Sequence, residues 1–213
     1  MNNKKFVLII CTVILLSNFS NKLNAQFGGG LTMNYNFYER YTNPKDASNE
    51  GQSSGSVLLN LSIGPKLWVG SQNFSFSIES QIGLAILGLD SKNYKGLGMA
   101  HIPIIGQINL RGSSGLNTVA KPGFSIGGGI QYNRTELYGL SQKYKDLGLS
   151  RDFFTTYIIQ AGGGFGINGF VANGFLRYGF HPETKAQSLN IGMQFDLNVI
   201  AYRKNLNNPN SAL

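Results

Sequence analysis

The sequence predicts an all-β chain, an eight-stranded antiparallel up-and-down transmembrane β-barrel. Three observations carry that expectation. Apolar residues recur at every second position over long stretches, the period of a strand rather than a helix. The strands so marked run 11 to 15 residues, where a soluble strand averages about 5–6 and a bilayer-spanning one needs about 9–11. Short and long connections alternate along the chain, as they do in outer-membrane barrels. Composition agrees: 28 glycines in 213 residues and only 13% charged residues exclude helical bundles and coiled coils.

The elements follow in order. Residues 1–25 read as a secretory signal peptide, with Lys4 and Lys5 before an apolar run and a small-residue end at Leu23-Asn24-Ala25. The run from Phe6 to Phe19 is 14 residues, short of the roughly 20 a helical anchor needs. Cys11 lies inside that run behind Ile10, where a lipidation site wants a small residue. Cleavage after Ala25 removes Cys11, so disulfide and thiolate chemistry are excluded from the mature chain. With Lys4, Lys5 and Lys22 gone, 15 basic residues face 10 acidic ones, a net +5. These cations are scattered, and a nucleic-acid partner wants a patch, so none is expected. The barrel is placed at 26–202, followed by a short periplasmic tail at 203–213.

The predicted strands are 27–38, 56–69, 74–87, 99–111, 122–133, 154–167, 170–180 and 188–202. In the first, Leu31, Met33, Tyr35 and Phe37 alternate with Gly30, Thr32, Asn34 and Asn36. In the third, Phe74, Phe76, Ile78, Ile82, Leu84 and Ile86 oppose Ser75, Ser77, Glu79, Gln81 and Gly83. In the last, Leu189, Ile191, Met193, Phe195, Leu197 and Val199 oppose Asn190, Gly192, Gln194, Asp196 and Asn198. The second face is polar, which suits a lumen rather than a dry core. Short turns are expected at 70–73 and at Asn168-Gly169, a two-residue type I′ signal. Longer charged loops are expected at 39–55, 88–98 and 134–153 on the opposite, external side. Aromatic residues gather at both ends of the strands, the placement of interfacial girdles. Phe27, Phe74, Phe165, Phe170 and Tyr202 belong to the turn side; Tyr35, Phe37, Tyr132, Phe154, Tyr157, Tyr178 and Phe180 belong to the loop side.

Three stretches carry a family resemblance. Phe74-Ser-Phe-Ser-Ile-Glu-Ser-Gln-Ile-Gly83, His101-Ile-Pro-Ile-Ile-Gly-Gln-Ile-Asn-Leu110 and Lys121-Pro-Gly-Phe-Ser-Ile-Gly-Gly-Gly-Ile130 resemble strands of the PorT-like outer-membrane β-barrel family. Gly106 and Gln107 depart from it, standing where bulky and basic residues are common. The resemblance implies a small barrel in the bacterial outer membrane and no particular activity. Pro103 cannot donate to a ladder, and a bulge at 102–104 is the expectation there.

Candidate chemistry is sparse. His101 and His181 lack neighbouring ligands at metal-site spacing, so no metal or cofactor is assigned. A lipid-modifying enzyme would need a histidine with one of the loop-side serines Ser91, Ser141 or Ser188, and no spacing singles one out. Gly164-Phe-Gly-Ile-Asn-Gly169 has the form of a dinucleotide fingerprint but leads into a hairpin instead of a helix. Glycines such as Gly127 to Gly129 read as relief of crowding in a narrow barrel. Parity puts Lys66, Glu79, Arg111, Arg177 and Asp196 inside, away from lipid, where a midplane Lys or Arg costs about 2–4 kcal/mol. Counting back from a turn at 70–73 sets Glu79 opposite Gly64 and makes Lys66 its diagonal neighbour, so the two are expected to interact.

The expected role is structural or interactive, without catalysis. The lumen of eight strands is filled by side chains, and the exposed loops offer a surface for a protein partner. The 134–153 loop mixes Arg134, Lys143, Lys145 and Arg151 with Glu136, Asp146 and Asp152; such mixed charge reads as a solvated face, with lipopolysaccharide phosphates the alternative partner for its cations. A narrow channel for small solutes, a lipid-modifying enzyme and a soluble secreted β-protein are the alternatives.

Overall fold

The computed structural model describes residues 26–42, 52–54, 60–85, 96–117, 119–148 and 150–201. The expected signal peptide at 1–25, Tyr202 and the expected tail from 203 lie outside the described residues, as do 43–51, 55–59 and 86–95.

Alternating sequence becomes alternating burial. The strands are β1 (Gln26–Thr42), β2 (Gln52–Ser54), β3 (Asn60–Gly70), β4 (Phe74–Ser80), β5 (Ile82–Ala85), β6 (Met99–Arg111), β7 (Lys121–Arg134), β8 (Phe154–Ile167), β9 (Phe170–Phe180) and β10 (Gln187–Asn198). Every pairing is antiparallel, and β1 pairs with both β3 and β10, which closes the sheet. Taking β4 and β5 as one stave and β2 as a short addition to β1, this is an eight-stranded barrel. The sequence expected that architecture, and every predicted strand has its counterpart.

The departures have local causes. β1 runs on to Thr42 because Phe37 is an extra residue: the register on β10 slips between Asn36 and Tyr38. Such a bulge reverses parity. Thr32, Asn34 and Asn36 point inward before it; Glu39 and Tyr41 point inward after it. Pro103, by contrast, carries no bulge, since its register is unbroken from Gly83–His101 to Phe74–Leu110. Gln81 faces it and donates its N–H to the Pro103 carbonyl at 3.2 Å. Proline has no N–H to return, so the ladder pauses between β4 and β5 without adding a residue.

The first hairpin is tighter than a four-residue turn. Ser71 N–H donates to Phe74 O at 2.6 Å, and Gly70 pairs with Ser75. Gly70 takes φ 150°, and a Cβ there would lie 2.3 Å from the Phe74 carbonyl oxygen. The register therefore moves by two residues, which preserves the faces and sets Lys66 directly opposite Glu79. Asn168 and Gly169, both with positive φ, form the expected type I′ turn. β10 stops at Asn198 and not at 202: the Asn198 Oδ1 accepts the Ala201 N–H at 3.1 Å, and residues 199–201 turn helical. The 134–153 loop contains a bridge from Tyr138 to Leu97 and a short helix, α1 (Gln142–Asp146).

Candidate functional site in the barrel lumen

Burial in this molecule is inverted. Leu, Ile, Val and Phe side chains of the strands stand exposed, for instance Ile82 at 64% and Ile159 at 66%, while Lys66, Glu79, Arg177 and Asp196 are 2% exposed or less. Apolar residues outside and polar residues inside are what a barrel in lipid requires. Arg40 and Arg111 are exposed strand cations, each near a strand end.

The middle of the lumen is an ion cluster. Lys66 Nζ lies 2.7 Å from Glu79 Oε2 and 2.8 Å from Asp196 Oδ2, and it donates to Gln107 Oε1 at 3.0 Å. Gln194 ties the two carboxylates together, its Nε2 lying 2.9 Å from Glu79 Oε2 and 2.9 Å from Asp196 Oδ1. Gln81 Nε2 donates to the other Glu79 oxygen at 3.0 Å. Every member comes from the inward parity of its strand, and closure of β1 on β10 brings Asp196 across to Lys66. The pairing of Lys66 with Glu79 was legible from the sequence; the entry of Asp196 was not.

Toward the loop side sits a second cluster. Arg177 donates from Nε to Gln160 Oε1 at 2.7 Å and from Nη1 to Gln131 Oε1 at 3.1 Å. Amides, not a carboxylate, make the close contacts to this guanidinium among the described residues. Above it, Asn190 Nδ2 donates to Tyr41 Oη at 2.6 Å and Glu39 Oε1 at 3.1 Å. His101 Nδ1 is 3.3 Å from Tyr41 Oη and 3.6 Å from Glu39 Oε1. Asn36 Nδ2 also donates to Glu39 Oε1. The His101 ring lies over Gly83, where a Cβ would come within 2.1 Å of Nε2. Sequence reading left Glu39 and Tyr41 in a loop and missed this cluster. The adjacent aromatics Phe37-Tyr38, which break the alternation, were the available signal.

Described residues pack across both ends of the lumen. On the turn side, the chain from Gly112 to Asn117 folds into the barrel and is buried throughout. Ser75 Oγ donates to Ser114 O at 2.7 Å, Asn198 Nδ2 to Gly115 O at 2.9 Å, and Asn117 Nδ2 to Gly166 O at 2.7 Å. Trp68, 1% exposed, stands between this plug and Lys66, whose Nζ is 5.5 Å from the indole centroid. On the loop side, Tyr41, Ala85, Met99, Phe154 and Ala186 pack into an apolar layer. Phe154 thus belongs to the closure and not to a girdle.

Arg111 is the one expected lumen charge that is not inside. Its φ of 52° breaks the alternation at the end of β6, turning the side chain to solvent while its N–H donates to Asn73 O at 2.8 Å. Of the aromatics expected in girdles, Phe27, Phe74, Phe165 and Phe170 are exposed at the turn side, and Phe37, Tyr132, Tyr157, Tyr178 and Phe180 at the loop side. Tyr35 is half-buried and meets the Phe37 ring edge-on at 5.3 Å.

No protein-family model matches the chain. No curated protein matches it in sequence. Among solved structures it is similar to Neisserial surface protein A, with TM-score 0.45 and 11% identity over 82% of this chain and 99% of that one. It is also similar to Ail, the attachment invasion locus protein of Yersinia pestis, determined in complex with the heparin analogue sucrose octasulfate (TM-score 0.43, 8% identity, 80% of this chain and 97% of that one). A third is the outer membrane protein OprG from Pseudomonas aeruginosa (TM-score 0.37, 11% identity, 82% and 96%). These are likenesses of chain path alone.

Proposed function

We propose that this protein is a non-conducting barrel of the bacterial outer membrane, exported through a cleaved signal peptide, with a structural and interactive role played by its loop-side surface. The observation that carries this reading is the filled lumen: an ion cluster at mid-height, an inward-folded plug at one mouth and an apolar layer at the other. Eight strands leave room for side chains and little else, and here that room is taken. The three resembling strand stretches support membership of the PorT-like family.

Catalysis is not part of the proposal. His101 is enclosed by Tyr41, Glu39 and Gly83, out of reach of a lipid substrate. His181 Nδ1 accepts the Thr184 N–H at 3.2 Å, and Ser188 Oγ is 3.1 Å from Thr156 Oγ1 inside the wall. The test is electrical. Protein refolded into a planar bilayer, its folded state verified by faster gel mobility before boiling, is expected to leave the conductance at the lipid baseline. Discrete steady openings in the folded protein would overturn the sealed-lumen reading in favour of a channel.

A further inference from the structure

The outer surface near the loop-side end holds two adjoining clefts, of about 130 and 460 Å³, which share Tyr178 and Gln187. Arg40 and Leu189 line the smaller; Phe180, His181 and Lys185 line the larger. Register sets the floor. Leu189 pairs with Arg40 on one side and Tyr178 on the other, and one row deeper Ile191 pairs with Tyr38 and Leu176, all apolar. The boundary between apolar wall and cationic rim therefore runs through these clefts.

The rim is made of donors. Arg40 and Lys185 are exposed, and neither has a carboxylate partner among the described residues. Lys185 is held in a turn at φ 61°, its N–H on the His181 carbonyl at 2.9 Å. His181 stacks on Tyr157 with centroids 5.4 Å apart. Because its Nδ1 is taken as an acceptor, its Nε2 carries the N–H and is a donor. Glu183, the carboxylate of the same turn, lines neither cleft. A guanidinium, an ammonium and an imidazole N–H above aromatic and aliphatic walls complement a phosphate attached to an acyl chain. A free phosphate gains nothing from the exposed rings of Tyr178 and Phe180 or from the half-buried Leu189. We propose that this site holds the phosphate of an outer-leaflet phosphoglycolipid, its acyl chain lying down the β9–β10 face. The inference rests on the outer-membrane reading, and it places the lipid contact here and not on the 134–153 loop.

The mature protein is refolded into neutral phosphatidylcholine nanodiscs containing either a diphosphorylated glucosamine-based lipid or its dephosphorylated form. Lipid retained on the released protein is counted by native mass spectrometry. The expected result is at least tenfold preferential retention of the phosphorylated form. Arg40→Gln with Lys185→Gln abolishes that preference, Lys185→Gln alone, in a turn outside the strands, lowers it about threefold, and Lys143→Gln with Lys145→Gln leaves it unchanged. Equal retention of both lipids, a double variant that behaves as wild type, loss in the Lys143/Lys145 variant instead, or displacement by millimolar inorganic phosphate would each overturn the proposal. The gel mobility of unboiled wild-type protein tests the membrane reading separately: no shift there refutes the barrel in lipid, whereas a shift without lipid preference refutes only this site.

Discussion

Replacing Lys66 with methionine isolates the energy of the lumen. Methionine keeps the length and apolar stem of the side chain, so the change removes charge and donors with little loss of volume. Lys66 neutralises two carboxylates at 2.7 and 2.8 Å, and all three residues are 2% exposed or less. Without it, Glu79 and Asp196 face each other through Gln194 alone, two buried anions without a cation in contact. Breaking one buried pair by removing a partner costs about 3–5 kcal/mol, and Lys66→Met is expected to lose at least that. Glu79→Gln leaves the Lys66–Asp196 pair intact and should cost about 1–3 kcal/mol, the range for an imperfectly satisfied buried group. The triple variant Lys66→Met, Glu79→Gln, Asp196→Asn removes all three charges and should recover most of the loss, because a buried ion cluster exchanged for neutral groups is often close to neutral. Urea unfolding in lipid vesicles, followed by the mobility of unboiled protein and by emission of Trp68, the chain's single tryptophan, measures each variant. A loss under about 1 kcal/mol for Lys66→Met, or a triple variant no better than the single, would refute a dry ion cluster and indicate a water-filled lumen.

Other expectations concern the closures and the walls. Gly115→Val places a branched side chain at φ 69° against Trp68, where even a Cβ would lie 2.7 Å from Nε1; acrylamide quenching of Trp68, slight in wild type, should rise severalfold as the plug is displaced. Gly83→Ala drives a methyl into the His101 ring and should destabilise the barrel by about 1–3 kcal/mol, read by the same urea titration, with no effect expected if the ring has free space above it. Deleting Phe37 removes the extra residue of the β1 bulge while Glu39 and Tyr41 stay inward, so the unboiled protein should still migrate fast. Deleting Ile159 from β8, which has no bulge to absorb it, flips one half of the strand to the wrong face and should abolish that mobility.

The sequence by itself determined the barrel, because side-chain alternation is a strictly local property: an apolar outer face and a crowded polar lumen are each specified residue by residue. Strand number and the inward placement of Lys66, Glu79, Arg177 and Asp196 follow from alternation, and the Asn168-Gly169 turn from its dipeptide. Parity fails wherever one backbone torsion or one extra residue interrupts it. Phe37 moved Glu39 and Tyr41 from an imagined loop into the lumen, the positive φ of Arg111 sent that charge out, and Asn198 ended the last strand by capping a helical turn. Register is the other limit. A turn shorter by two residues keeps every face while changing every neighbour, so diagonal and direct pairing of Lys66 with Glu79 were indistinguishable from periodicity. What only the tertiary structure decided is which polar groups meet once β1 closes on β10, and that the 112–117 chain folds inward, since both depend on contacts between residues far apart in sequence.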